Sequence, residues 1–176
     1  MKKIVVLMAA LLALCVGFSA VSFAGTMTYT SAGEPIELVF EEGKENTIDT
    51  NAGTLVIRGY SITPQGFVDF TNDKQYGDQS IFTVHATLTV KADQPKSVWQ
   101  TYKVQVFQKG VDVWGFCDTK KDVNYLTDLL PGTPVDLDID FLVKSDTEPV
   151  TFVVSTWGRS KVVFQKEIDL TDRVKE

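Results

Sequence analysis

The sequence predicts an all-β fold in which short antiparallel strands pack as a β-sandwich. Apolar and polar residues alternate with a period of two over most of the chain after residue 34, which is the pattern of half-buried strands. Turn residues separate eight or nine such runs at short intervals. That spacing favours antiparallel strands over parallel βαβ units, which need helices between the strands.

Residues 1–24 have the features of a secretory signal peptide. Two lysines precede an uncharged apolar run over residues 4–18, and Ser22 and Ala24 supply small residues at the positions that signal peptidase reads. We therefore expect cleavage before Gly25, and no membrane span afterwards. Cys15 offers the alternative of a lipid anchor, but Leu14 occupies the position where such signals carry Gly, Ala or Ser, so this alternative is less favoured.

The rest of the chain has the size of one acidic domain. Residues 25–33, rich in Thr, Ser and Gly, predict a flexible N-terminal tail, and residues 34–176 predict a single domain. Without the two signal lysines, 15 basic and 23 acidic residues leave a net charge of −8, which excludes nucleic acid as a partner. Cys117 is then the only cysteine, so no internal disulfide forms, and we expect it to be a small buried residue.

The clearest predicted strand runs from Ile81 to Lys91. One face carries Phe82, Val84, Ala86, Leu88 and Val90, and the other, threonine-rich face carries Ile81, Thr83, His85, Thr87 and Thr89. We expect the first face to be buried and the second to be exposed. Similar runs cover residues 35–40, 54–63, 66–70, 100–107, 111–114, 134–143, 150–157 and 161–170, with a turn at 64–66 between the second and third.

One segment departs from this alternation. Residues 122–130 place Val123, Leu126, Leu129 and Leu130 at nearly helical spacing, after an Asp that can cap a helix and before a Pro-Gly stop. They predict a helix of two turns at most.

Acidic residues form two weak candidates for a metal site. Asp136, Asp138 and Asp140 alternate with apolar residues, so they predict a row of carboxylates on the outer face of one strand. Neighbours two apart on a strand lie about 6.5–7 Å apart, too far for compact chelation, and a solvated face is favoured. An acidic loop offers a second oxygen-rich group, but it does not fit a calcium-binding loop; its candidate ligands are Asp69, Asn72, Asp73 and Asp78.

Other site chemistries are disfavoured. One histidine and one cysteine cannot provide the usual zinc ligands. Ser80 and Ser155 have only His85 as a candidate base, and no nucleophile elbow is present, so we expect no catalytic residues and no cofactor. Trp99, Tyr102 and Trp157 are weak candidates for a binding surface, of which Trp99 is expected to be exposed because it follows a polar turn.

Three segments carry a family resemblance: Tyr102 to Val111, Leu126 to Gly132, and Phe141 to Val150. They resemble exported immunoglobulin-like domains of unknown function from Gram-positive bacteria, related in fold to the mycobacterial secreted immunoprotective antigen. The resemblance extends over residues 53–157. It implies an immunoglobulin-like sandwich without catalytic residues.

The sequence therefore predicts an exported, non-catalytic module of the cell envelope or extracellular space. Its partner would be a protein or a glycan at the cell surface. The alternative is an extracellular enzyme that acts on glycans through two carboxylates across a cleft. The sequence contains 23 acidic residues, so counting alone does not exclude such a pair.

Overall fold

The protein is an all-β sandwich of antiparallel strands. The structure, a computed structural model, describes residues 27–31, 33–70, 73–113, 115–118, 126–156, 158 and 161–175. Within these ranges the strands form two main sheets and a small two-stranded sheet, with one α-helix of four residues. The predicted signal peptide lies outside the described residues. In the ranges given, no helix is both long and apolar enough to cross a membrane.

The larger sheet is built on a long hairpin. Strands β4 (Gly53–Phe70) and β5 (Asp73–Val90) have 18 residues each and pair along their length. Beyond β5 the sheet continues with β11 (Pro134–Val143) and then β9 (Gly115–Asp118). On its other edge, β4 pairs with three short strands: β1 (Met27–Ser31), β2 (Ile36–Glu37) and β3 (Thr47–Asp49).

The smaller sheet has four strands in the order β13, β12, β7, β8. Their bounds are β7 Tyr102–Gln108, β8 Val111–Val113, β12 Val150–Thr156 and β13 Val162–Ile168. A separate pair consists of β6 (Lys96–Ser97) and β10 (Asp128–Leu129). A single turn of 3-10 helix covers Lys44–Asn46.

The two main sheets pack through the apolar side chains that alternate along their strands. Phe82, Val84 and Leu88 of β5 and Ile139 of β11 are fully buried, so the inward faces predicted for these two strands are confirmed. Contacting aromatic rings cross the core, with centroids of neighbours 5.4–6.4 Å apart; they run in the order Phe40, Tyr60, Phe82, Phe141, Phe152 and Phe164. The rings of the last two, Phe152 and Phe164, belong to the smaller sheet, so the aromatic contacts join the two layers.

A β-bulge at Arg58 reverses the faces of β4. Ile57 pairs with Ala86 and Gly59 pairs with His85, so Arg58 is an extra residue between them. Leu55 and Ile57 point into the core before the bulge, whereas Tyr60 and Ile62 do so after it. Ser61 therefore lies on the outer face with His85.

The structure differs from three sequence predictions. Residues 27–31 form β1 and pair with β4, although they lie in the predicted flexible tail. The turn expected at 64–66 is absent, because irregular pairing between Thr63 and Gly66 lets β4 continue through this segment. Of the predicted helix over 122–130, residues 126–130 are described, and Asp128–Leu129 form β10 there.

The one described α-helix, α1, covers Val98–Thr101 instead. Ser97 caps it, since its hydroxyl accepts the Gln100 N–H and the Gln100 side chain accepts the Ser97 N–H. This reciprocal capping box satisfies two backbone donors at the helix start. The run Ser97 to Gln100 carries the signal for it in the sequence.

Candidate functional site

Polar side chains form three rows across the outer face of the larger sheet. Each row joins directly opposite residues of β5 and β11, because the pairing register aligns Thr83 with Asp140, His85 with Asp138 and Thr87 with Asp136. The carboxylates accept hydrogen bonds from the β5 side chains at 2.6 Å, 2.8 Å and 2.6 Å respectively. The three Asp residues that alternate along β11 are thus each paired across the strands.

The middle row continues to β4 and has the connectivity of a Ser-His-Asp triad. His85 Nδ1 lies 2.8 Å from Asp138 Oδ1, and His85 Nε2 lies 3.0 Å from Ser61 Oγ. Since a carboxylate only accepts hydrogen bonds, Nδ1 carries the proton toward Asp138. In the neutral imidazole Nε2 then accepts the Ser61 hydroxyl proton.

The surroundings of Ser61 do not suit a nucleophile. The residue is 1% exposed, and β4 pairs at this point with β2 on one side and β5 on the other. The backbone N–H groups beside it are directed into these two ladders, not toward a bound oxyanion. We therefore interpret the chain from Ser61 through His85 to Asp138 as a cross-strand polar network that fixes register.

A second row places an arginine beside Thr87. Arg58 Nε donates to Thr87 Oγ1 at 2.5 Å, and Thr87 donates to Asp136, whose Oδ1 lies 3.9 Å from Arg58 Nε. Arg58 directly follows Ile57, which points into the core, so the Arg58 side chain lies on the outer face. Because Thr87 is 7% exposed, the prediction that this threonine face is solvent-exposed is wrong at Thr87.

The two groups of acidic residues that were candidates for a metal site lie in different parts of the larger sheet. Asp140 is 6% exposed and hydrogen-bonded, so the β11 row is not a uniformly solvated face as expected from alternation. Asp69, Asp73 and Asp78 lie on the hairpin strands β4 and β5, not in a loop, and Asn72 lies outside the described residues. In the part of the chain that the structure describes, no group of three His, Cys, Asp or Glu side chains could hold a metal ion.

The aromatic residues that were candidates for a binding surface differ in their exposure to solvent. Trp99 is 42% exposed, in agreement with its position after a polar turn. Tyr102 is 1% exposed, and its hydroxyl donates to the Gly53 carbonyl at 2.5 Å and contacts Thr50 Oγ1 at 2.9 Å. Burial raises the pKa of the Tyr102 phenol. The proposal of Tyr102 as a binding residue is therefore wrong, and Trp157 lies outside the described residues.

A groove of about 410 Å³ crosses the outer face of the smaller sheet. Its lining comes from three adjacent strands, and the register arranges it in rows. In the middle row Val153 of β12 stands between Gln105 of β7 and Gln165 of β13. Two amides that both donate and accept hydrogen bonds thus flank an apolar floor.

The rows on either side are mixed in the same way. One places Ser155 between Lys103 and Val162, and the other places Thr151 beside Phe107. A bulge between Val154 and Ser155 increases the local twist of β12 against β13, at the position where the groove lies. The groove combines apolar surface with convergent polar groups, which is the usual composition of a binding site.

Sequence reasoning missed both the triad-like row and the groove. Ser61 comes into reach of His85 only because the bulge at Arg58 changes the parity of β4, and a bulge leaves no clear signal in one sequence. The groove depends on which strands are neighbours, which alternation does not reveal. The run Lys103, Gln105, Phe107 on one face of β7 is the single local signal for it.

Comparison with known proteins identifies similar folds only. A "putative lipoprotein" from Bacillus subtilis shares 14% identity, with a TM-score of 0.52 over 74% of this chain. The chain spans 40% of the length of that protein. A "putative lipoprotein" from Staphylococcus aureus shares 15% identity, with a TM-score of 0.50, and the match covers 83% of this chain and 94% of the other. No protein-family model matches the chain, and no curated protein matches it.

Proposed function

We propose that the protein is an exported binding module that holds a protein or glycan partner of the cell envelope in the groove of the smaller sheet. The groove carries this proposal. It is concave and open to solvent, and it offers amide, hydroxyl and ammonium groups around an apolar floor. Such a surface orients a ligand through hydrogen bonds while apolar contact supplies affinity.

Export is supported by the sequence and by the similar folds. The charged start, the apolar run and the small residues before Gly25 are the parts of a cleavable signal. The similar proteins from Bacillus subtilis and Staphylococcus aureus are each called a "putative lipoprotein", and lipoproteins are a class of exported protein. We keep cleavage before Gly25 as the proposed processing, because Leu14 disfavours a lipid anchor at Cys15. We also propose that the sandwich is immunoglobulin-like, as the family resemblance in the sequence implies.

We propose that the groove binds its ligand without catalysing a reaction on it. None of the described residues that line it is a carboxylate, histidine or thiol, and we assign its Lys103 ammonium and its Thr151 and Ser155 hydroxyls to ligand binding. The alternative, a glycan-acting enzyme with paired carboxylates, gains no support from the β11 row, whose Asp136, Asp138 and Asp140 each bond a β5 side chain.

Affinity capture from cell-envelope extract tests this function. The immobilised wild-type protein is compared with Thr151→Arg, which fills the groove, and with Thr133→Arg, which adds the same charge at an exposed turn outside it. We expect wild type and Thr133→Arg to retain the same envelope component and Thr151→Arg to lose it. Equal capture by all three proteins, or no specific capture by wild type, overturns the proposed function.

A further inference from the structure

We infer that the occupant of the groove is an uncharged oligosaccharide, a conclusion that rests on the proposed binding function. Sugar rings present apolar C–H faces edged by hydroxyl groups that both donate and accept hydrogen bonds. The middle row of the groove matches this chemistry, since Val153 offers an apolar floor and Gln105 and Gln165 offer amides on both sides. Directly opposite residues point to the same side of a sheet, so the two amides face the same ligand.

The neighbouring row repeats the arrangement with other side chains. Thr151 and Phe107 lie at its centre, and the register adds Asp112 of β8 at one end and Glu167 of β13 at the other. An aromatic ring stacks on the C–H face of a sugar, and carboxylates accept hydrogen bonds from its hydroxyls. Asp112 already accepts from Gln105 Nε2 at 2.7 Å, which fixes that amide at the edge of the groove.

Charge at the groove disfavours other ligand classes. Lys103 is the only ion in the described lining, and Asp112 and Glu167 at the ends of the next row oppose an anionic ligand. The protein as a whole is acidic, which excludes nucleic acid. An extended peptide binds a sheet by pairing with an edge strand. The groove lies on the face of the sheet and is centred on β12, whose backbone pairs with β7 on one side and with β13 on the other.

The two acidic residues stand at opposite ends of this row. The backbones of Asp112 and Glu167 lie three strand steps apart, about 14 Å at the usual strand spacing. Paired glycosidase carboxylates lie at most about 9.5 Å apart. We therefore assign Asp112 and Glu167 to binding the sugar chain rather than to a hydrolytic pair.

Affinity electrophoresis tests the ligand class. The purified protein is run in gels that contain a soluble neutral glucan, a soluble N-acetylglucosamine polymer or, for comparison, an anionic polyuronate. We expect a neutral polymer to retard wild type. The variant Gln105→Ala/Gln165→Ala should bind at least about tenfold more weakly, because two hydrogen-bonding side chains are lost. Gln94→Ala, which changes an exposed amide outside the groove, should migrate like wild type.

The outcomes separate the ligand class from the binding function. Retardation by a neutral polymer that requires the two groove glutamines supports the inference. Retardation by the polyuronate alone overturns it. If no polymer retards the protein while Thr151-dependent capture from envelope extract persists, the sugar is wrong and the binding module stands. If that capture also fails, the proposed function falls with it.

Discussion

His85 and Asp138 stand directly opposite each other on β5 and β11, with Nδ1 and Oδ1 2.8 Å apart. The same register pairs the residues of the rows on either side, so three side-chain contacts reinforce the backbone ladder at one place. A shift of one residue would break all three contacts and turn the apolar residues of β11 outward. The polar face of this sheet therefore specifies its strand alignment.

Substitution of Thr87 tests the buried polar row. Thr87→Ala removes a hydroxyl that bonds both Arg58 and Asp136, so we expect it to lower the free energy of unfolding by about 1–3 kcal/mol. Leu88→Ala, in the core, should cost about 2–5 kcal/mol. Thr133→Ala, at an exposed position, should stay within about 0.5 kcal/mol in chemical denaturation. If Thr87→Ala were as neutral as Thr133→Ala, the row would not stabilise the sheet.

The sequence predicted the positions of the strands better than the burial and the hydrogen-bond partners of their polar side chains. Alternation alone placed Pro134–Val143 correctly and identified the buried faces of β5 and β11. The opposite faces were predicted to be solvated, because nothing in a single strand tells which polar residue acquires a partner on its neighbour. Thr83 and Thr87 became buried for this reason. Both candidate sites, the groove and the row of Ser61, His85 and Asp138, depend on pairing between strands that are distant in the sequence. The row also depends on the bulge at Arg58, which places Ser61 on the same face as His85.

Two tyrosines allow a matched test of buried hydroxyls. Tyr60 is 1% exposed, and within the described part of the chain its hydroxyl has no hydrogen-bond partner, whereas the Tyr102 hydroxyl bonds Gly53 and Thr50. Tyr60→Phe should therefore leave the free energy of unfolding unchanged or raise it by about 1 kcal/mol, and Tyr102→Phe should lower it by about 1–3 kcal/mol. Urea denaturation of both variants measures the difference, and the opposite order would refute these environments.

The same tyrosine predicts a loss of stability in alkaline solution. Burial raises the pKa of the Tyr60 phenol above its usual 10.0. Above pH 10 the phenol ionises in the unfolded chain before it does so in the folded protein. The stability that it contributes is complete below pH 10 and falls as pH rises further. Tyr60→Phe should flatten this fall in melting temperature between pH 9 and 11, and an unchanged pH profile would contradict the assignment.

Gln108 should be the most important polar side chain of the smaller sheet. It is 6% exposed, its Nε2 donates to the carbonyls of Ser145 and Glu148, and its Oε1 accepts the N–H groups of Lys144 and Ser145. Gln108→Ala leaves these loop groups without their partner, so we expect a loss of about 2–3 kcal/mol of unfolding free energy. Gln94→Ala, exposed, serves as the control and should change it by less than about 0.5 kcal/mol.

We propose different roles for the two sheets, with binding on the smaller sheet and structural polar rows on the larger one. The most direct measurement compares Thr151→Arg and Ser61→Ala in parallel, by melting temperature and by capture of the envelope component. We predict that Thr151→Arg keeps the melting temperature and loses capture, because it fills the groove. Ser61→Ala should lower the melting temperature and keep capture, because it removes the hydrogen bond to His85. Loss of capture by Ser61→Ala at unchanged stability would move the functional site to the Ser61, His85 and Asp138 row and contradict this division of roles.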